Sequence, residues 1–209
     1  MQLIARGTPI RNIRILDIRE PERDDMLTGP AAEIGYIHTD IRSLASVTAA
    51  FGKPWHSSVA DLPLTVFHTA AVILSSDRSR YTYELPHAVN VQGTNNLLTA
   101  AKSAGADIFV CTSSGSISVR WVNPWVWPWR KEPTNYWQIQ DERDFDRPLA
   151  SHDMFYGNYA ASKAAAERLV CAANKDNFRT GCIRPANGVY GNIIDNCVGA
   201  PLSTSVQPT

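Results

Sequence analysis

Tyr159 and Lys163 lie four positions apart in "YGNYAASKAAAERLV" (156–170), a spacing that puts both side chains on one face of a helix. A lone tyrosine, with a pKa near 10, is a poor base at neutral pH, but an ammonium one turn away favours its phenolate. Lowering that pKa by about three units takes roughly 4 kcal/mol, which requires a partly desolvated cleft that also holds a cationic cofactor ring. In such a cleft Tyr159 removes the proton of a substrate alcohol, or gives one to a carbonyl, while hydride moves to or from a nicotinamide. Lys163 then both tunes Tyr159 and holds the nicotinamide ribose. A serine at a strand end fixes the substrate oxygen, and Ser114 in "FVCTSSGS" is better placed for this than Ser113. The bare Y-x-x-x-K spacing is also common on solvated helix faces.

Elements able to position these groups can be read from the chain. The runs 12–18, 34–40, 62–72, 106–114 and 178–185 read as strands, mostly with continuous rather than alternating hydrophobicity, which predicts cover on both faces. Residues 44–52, 87–105 and 159–175 have apolar positions at helical spacing, with Gly105 where a C-terminal cap belongs. That alternation predicts an α/β, Rossmann-like, doubly wound parallel sheet. In such sheets ligands bind outside the carboxyl ends of the strands. Those ends carry Asp17, Asp40, the Thr69-Ala70-Ala71 turn, and Thr112, Ser113 and Ser114. The stretch 120–153, rich in tryptophan, proline and charge, reads as a long excursion from the sheet. Its tryptophans at 121, 125, 127, 129 and 137 suit a flat apolar substrate pocket, a membrane interface, or packing of the loop itself.

Composition narrows the partners. The 209 residues carry 20 basic and 20 acidic side chains, with no like-charge run of the kind that binds nucleic acid. Cys111, Cys171, Cys182 and Cys197 lack metal-ligand spacing, and three lie in apolar runs, the pattern of reduced thiols; no metal is expected. No apolar stretch approaches the roughly 18 to 20 residues that cross a bilayer. The expectation is a cytoplasmic protein, at most peripheral to a membrane.

Five motifs in this order, "VFHTAAV", "NVQGTNNLLTAAKSAG", "FVCTSS", "YAASKAAAERLV" and "IRPANGVYG", closely resemble the extended short-chain dehydrogenase/reductase superfamily, and within it the 3β-hydroxysteroid dehydrogenase/isomerase type, including fungal relatives. The resemblance runs from about Met1 to Gly191. It implies that Ser114, Tyr159 and Lys163 are the catalytic triad, and that Asn90 supports the active-site backbone and its water. It implies Asp17 as the ribose-binding acid, Asp40 and Ile41 as adenine-side contacts, Ala70 and Ala71 as the turn beside the cofactor, and Pro185 as the residue near the carboxamide. NAD or NADP is the implied cofactor, and Arg19 beside the strand end keeps NADP open. A hydrophobic secondary alcohol or ketone is the implied substrate, and the endoplasmic reticulum the implied membrane for any peripheral attachment. Homodimers of this kind use two long helices, here 87–105 and 156–175. His68, inside an apolar strand, reads as a buried, hydrogen-bonded histidine without a catalytic role.

Two departures from the family pattern complete the reading. No glycine-rich phosphate loop occurs in the chain, and Asp17 comes too early for one to precede it, so "MQLIARG" reads as the last turns of the first helix of the fold. The first strand is likewise expected to be lacking, which leaves the centre of the sheet unfilled. At the other end, 192–209 reads as a flexible tail after an NAD(P)-binding unit spanning 1–191, with little of a substrate domain. Two functions remain in view: the oxidoreductase, and a catalytically silent Rossmann-like domain acting by protein contacts or without independent function.

Overall fold

The structure, a computed structural model, describes residues 2–74, 77–120, 122–145 and 148–185. Five strands form: β1 (Arg14–Asp17), β2 (Gly35–His38), β3 (Thr65–His68), β4 (Ile108–Thr112) and β5 (Arg179–Ile183). The helices are α1 (Gln2–Ala5), α2 (Asp24–Leu27), α3 (Leu44–Phe51), α4 (Glu84–Pro86), α5 (Gly93–Ser103) and α6 (Asn158–Ala172). All strand pairings are parallel, and the Rossmann-like α/β reading of the sequence holds. The ladders are shorter than the apolar runs that signalled them, because the chain leaves the sheet early to build the polar loops at the strand ends.

The strands assemble as two sheets, β1-β2 and β3-β4-β5. Among the described residues, β1 and β3 each pair on one side only. Packing of α3 on α5 connects the two sheets: Asn96 on α5 donates to the carbonyls of Ile41 and Arg42 at 2.9 and 3.1 Å, just past β2. The main core lies between the three-stranded sheet and helices α5 and α6, where Leu97, Leu98, Ala101, Phe109, Val170 and Phe178 are buried together. Phe109 and Cys111 point into this core.

Cover on both faces, which the continuous apolar strands predict, is not what the structure shows. Burial alternates along β3 and β4, and the opposite face leaves Phe67 58% and Ile183 59% exposed. Among the described residues α5 and α6 lie on one side of this sheet, so side chains of alternate parity have nothing to pack against.

Local signals explain the helix ends. The Ser43 hydroxyl accepts from Ser46 N at 3.2 Å and starts α3. Gly105 takes φ +73° after α5, and Ala106 N donates back to Ala101 O at 3.0 Å, the left-handed cap expected at that position. Gly7 plays the same part after α1, as the reading of "MQLIARG" as a helix end requires. The expected helix 87–105 begins earlier, at Glu84, and its portion His87–Gln92 is a π turn running into α5. The excursion carries an isolated bridge Asn123–Thr134, another joining Arg120 to Phe155, and short 3-10 turns, one of them His152–Met154. Trp121, Gly191, Cys197 and the whole of the expected tail 192–209 lie outside the described residues.

Candidate active site

Strand β4 and helix α6 supply the centre of the site. Lys163, one turn beyond Tyr159 on α6, is only 4% exposed and donates from Nζ to the carbonyl of Thr112 at 2.7 Å. An ammonium is rarely so deeply buried without a partner. Burial lowers the Lys163 pKa from its ordinary value, and the Cys111 and Cys182 thiols oppose that shift. Thr112 precedes Ser113 and Ser114, so the lysine is tied to the strand end that carries the candidate serine.

The two serines separate as the sequence suggests. Ser113 is buried, and its Oγ has no hydrogen-bond partner. Ser114 is half-buried, with Oγ 2.8 Å from Ser116 Oγ and accepting from Ser116 N at 3.2 Å. Strand β5 locks this turn: Ser113 N donates to Ile183 O at 2.8 Å, and Gly115 N donates to Pro185 O at 2.9 Å. Pro185 therefore lies against the Ser114 turn. Sequence reading passed over Ser116, although a serine two residues after another is a common turn-forming pair.

Asn90 is the hub of a buried polar network. It is 1% exposed, accepts from Val72 N at 2.9 Å, and donates to Val72 O at 3.0 Å and Ser162 Oγ at 2.9 Å. Ser162 Oγ in turn donates to Tyr159 O at 2.8 Å. One amide thus ties the turn containing Ala70 and Ala71 to the first turns of α6. The π turn places Asn90 there, and such turns recur at functional positions because they swing a side chain out of the ordinary helical register. Thr94 and Ser162, which complete the network, were not singled out in the sequence.

Thr94 donates to Asn90 O at 2.6 Å, and its Oγ1 lies 2.8 Å from His68 Nε2. Burial, aided by the nearby Lys163 cation, lowers the His68 pKa from 6.5 to about 3. The folded state therefore holds a neutral imidazole, whereas the unfolded chain takes up a proton as pH falls below about 6.5. Stability from this group is fully present above pH 6.5 and is lost toward pH 3, at about 1.4 kcal/mol per pH unit. Denaturant unfolding at pH 7 and pH 5 measures this. His68→Gln is expected to remove about 2 kcal/mol of the wild-type difference, and an unchanged difference contradicts the assignment.

The other expected cofactor contacts lie at strand ends. Asp17 closes β1, is exposed, and accepts from Arg19 N at 2.9 Å. Asp40 follows β2 and is held by Arg42 at 2.7 Å; that hydrogen-bonded guanidinium keeps its carboxyl below the usual range. Ile41 packs against Gly93 of α5, where an added Cβ would lie 2.7 Å from Ile41 Cδ1, so only glycine allows this approach. Asn158 fixes the opposite side of the site: its N donates to Asp77 O at 2.7 Å, its Nδ2 to Ser79 O at 2.8 Å, and its Oδ1 lies 2.7 Å from His152 Nε2. A cavity of about 180 Å³ opens beside this end of α6, lined by Arg78, Arg80, His152, Asp153, Phe155 and Gly157.

The structure thus joins Lys163 to the strand end of Ser114, Asn90 to the Tyr159 turn, and Pro185 to Ser114. It places Asp17, Asp40, Ile41, Ala70 and Ala71 at or just beyond the ends of β1, β2 and β3. Among the described residues no helix is long and apolar enough to cross a membrane.

Comparison with known proteins gives consistent kinships. A 3 beta-hydroxysteroid dehydrogenase/Delta 5-->4-isomerase of Mycobacterium tuberculosis is 36% identical over 132 residues, covering 61% of this chain and 30% of the relative. The decarboxylating sterol-4-alpha-carboxylate 3-dehydrogenase of Candida albicans is 29% identical over 189 residues, covering 89% of this chain and 45% of the relative. The chain therefore spans less than half the length of either. The crystal structure of Thermus thermophilus UDP-glucose 4-epimerase in complex with NAD superposes with a TM-score of 0.60 at 23% identity, over 88% of this chain and 49% of that one. That likeness establishes the fold. The model of the 3-beta hydroxysteroid dehydrogenase/isomerase family matches residues 1–202, nearly the full length, and the chain belongs to that family.

Proposed function

We propose that this chain carries the catalytic face of an NAD(P)-dependent oxidoreductase of the 3β-hydroxysteroid dehydrogenase type, with residues 1–191 as its NAD(P)-binding unit and a sterol-like or other hydrophobic secondary alcohol or ketone as substrate. The observation that carries this reading is the buried Lys163 ammonium, hydrogen-bonded to Thr112 beside Ser114 and one helical turn from Tyr159. Lysine is kept out of water where its charge is used, and here it faces the strand ends where this fold takes ligands.

The donor set suits a dinucleotide. Asp17 offers a carboxylate at the end of β1 for a ribose diol, Asp40 and Ile41 border the adenine side, and Ala70 and Ala71 leave room beside the turn that Asn90 holds. Lys163 would hold the nicotinamide ribose, and Pro185 stands near the carboxamide. When bound, the nicotinamide supplies the hydride acceptor or donor. Ser114 Oγ orients the substrate oxygen. Tyr159 takes the hydroxyl proton as the alcohol becomes a ketone, or returns it in the reverse direction, and Lys163 favours the phenolate form that this requires. Asn90 keeps the Tyr159 turn and the Ala70-Ala71 turn in register throughout.

Titration of the 209-residue chain with NAD and NADP separately, following thermal unfolding, tests the reading. At 100 times Kd a cofactor adds about 2.7 kcal/mol, a rise of several degrees in melting temperature. A folded chain that shows no saturable shift with either dinucleotide contradicts a cofactor-binding role and supports the silent domain instead.

A further inference from the structure

We propose that the tryptophan hairpin around the Asn123–Thr134 bridge is a membrane anchor that seats in the headgroup layer of an anionic phospholipid bilayer. The proposal is independent of the oxidoreductase reading.

The aromatic side chains of this excursion face solvent. Trp125 is 64% exposed, Trp129 76%, Trp137 79% and the nearby Ile139 93%. Trp125, Trp127 and Trp129 recur every second residue, which in extended chain places them on one face. Their rings pack on one another: Trp127 stacks on Trp129 at 5.1 Å and 16°, and Trp125 meets Trp127 edge-on at 6.3 Å. Neither core cluster includes an indole, so these contacts build a preformed aromatic ridge rather than a buried one. The substrate-pocket reading of the tryptophans finds no support in the two described cavities on this side of the molecule, since neither is lined by tryptophan.

Residue type selects the occupant. A surface meant for the hydrocarbon core or a dry protein interface favours leucine and isoleucine, whereas indole, with its large apolar body and one N–H donor, is most stable at the headgroup boundary. The charges agree. Arg130 and Lys131 stand at the hairpin turn, which closes through Arg130 N donating to Trp127 O at 2.8 Å. Residues 120–140 carry Arg120, Arg130 and Lys131 against Glu132 alone, a net charge of +2 in a chain whose total is zero. A positive, indole-rich turn complements an anionic lipid surface. The hairpin leaves the fold between β4 and α6, the two elements that carry Ser114 and Tyr159, so docking would turn that side of the molecule toward the bilayer.

Co-sedimentation with phosphatidylcholine vesicles, with and without phosphatidylserine, tests this on the 209-residue chain. The wild type is expected to sediment with the anionic vesicles, with its tryptophan emission shifted to shorter wavelength. Trp127→Ser with Trp129→Ser should lower the partition coefficient about tenfold or more. Arg130→Gln and Lys131→Gln should each lower it roughly 5-fold on anionic vesicles only, and less at high salt. Quenching of wild-type emission by brominated phosphatidylcholine gives a readout free of any substitution. Failure of the wild type to sediment or to be quenched overturns the proposal. So does retention of wild-type binding by the folded double tryptophan variant, or a concentration-dependent dimer that this variant abolishes, which would assign the ridge to a second copy of the chain. Dinucleotide titration gives a separate answer, so loss of either property leaves the other readable.

Discussion

Tyr159→Phe is expected to lower kcat by about 10²- to 10⁴-fold in whichever length of the protein turns over a 3β-hydroxysteroid, because it deletes the one proton-transfer group and little else. Tyr159 is only half-buried, and its backbone carbonyl, which holds Ser162, is untouched by the substitution. Melting temperature and cofactor-induced stabilisation should therefore remain near wild type while turnover collapses. Steady-state formation of reduced cofactor, read beside a thermal titration of the same variant, separates the two effects. A variant that keeps wild-type kcat removes Tyr159 from the chemistry. Lys163→Met should differ in kind: it should lose turnover and cofactor affinity together, since the ammonium is proposed to serve the phenol and the ribose at once.

The largest effect on stability is expected behind the site, at Arg184. Its guanidinium donates from Nε to both oxygens of Glu167 at 3.1 and 3.2 Å, and the Glu167 side chain is 4% exposed. Arg184→Ala leaves that carboxylate buried and deprived of its paired cation, at a cost of about 3–5 kcal/mol. Replacing both partners with leucine should restore most of the loss, because the desolvation of two charges then disappears along with their attraction. Denaturant unfolding of the two single variants and the double variant completes the cycle. Additive losses would mean that the pair makes no direct contribution and that the contact is incidental. The pair fastens the end of β5 to α6, so Arg184→Ala should also loosen the Pro185 carbonyl that holds Gly115 beside Ser114.

Much of this was legible in the chain. The order and type of the main elements followed from short apolar runs alternating with helical periodicity, because each local pattern is set by which face must be dry. Gly105 announced its cap because almost no other residue accepts a positive φ without strain. Tyr159, Lys163, Ser114 and Asn90 could be named from their motifs, and the burial of His68 from its apolar neighbours. Spacing and composition could not reach contacts between segments far apart in the chain. The π turn that swings Asn90 toward Val72 and Ser162, the coupling of His68 to Thr94, and the Glu167–Arg184 pair each join residues 17 to 72 positions apart or depend on helix register. The same limit explains the misread sheet. A continuous apolar strand records that both faces can be buried, whereas only the placement of α5 and α6 decides that one face of β3-β4-β5 is covered. Residue types therefore determined which chemistry is available and which elements carry it. The tertiary structure alone decided which groups meet, because hydrogen bonds and desolvation act across a few ångströms of space irrespective of distance along the chain.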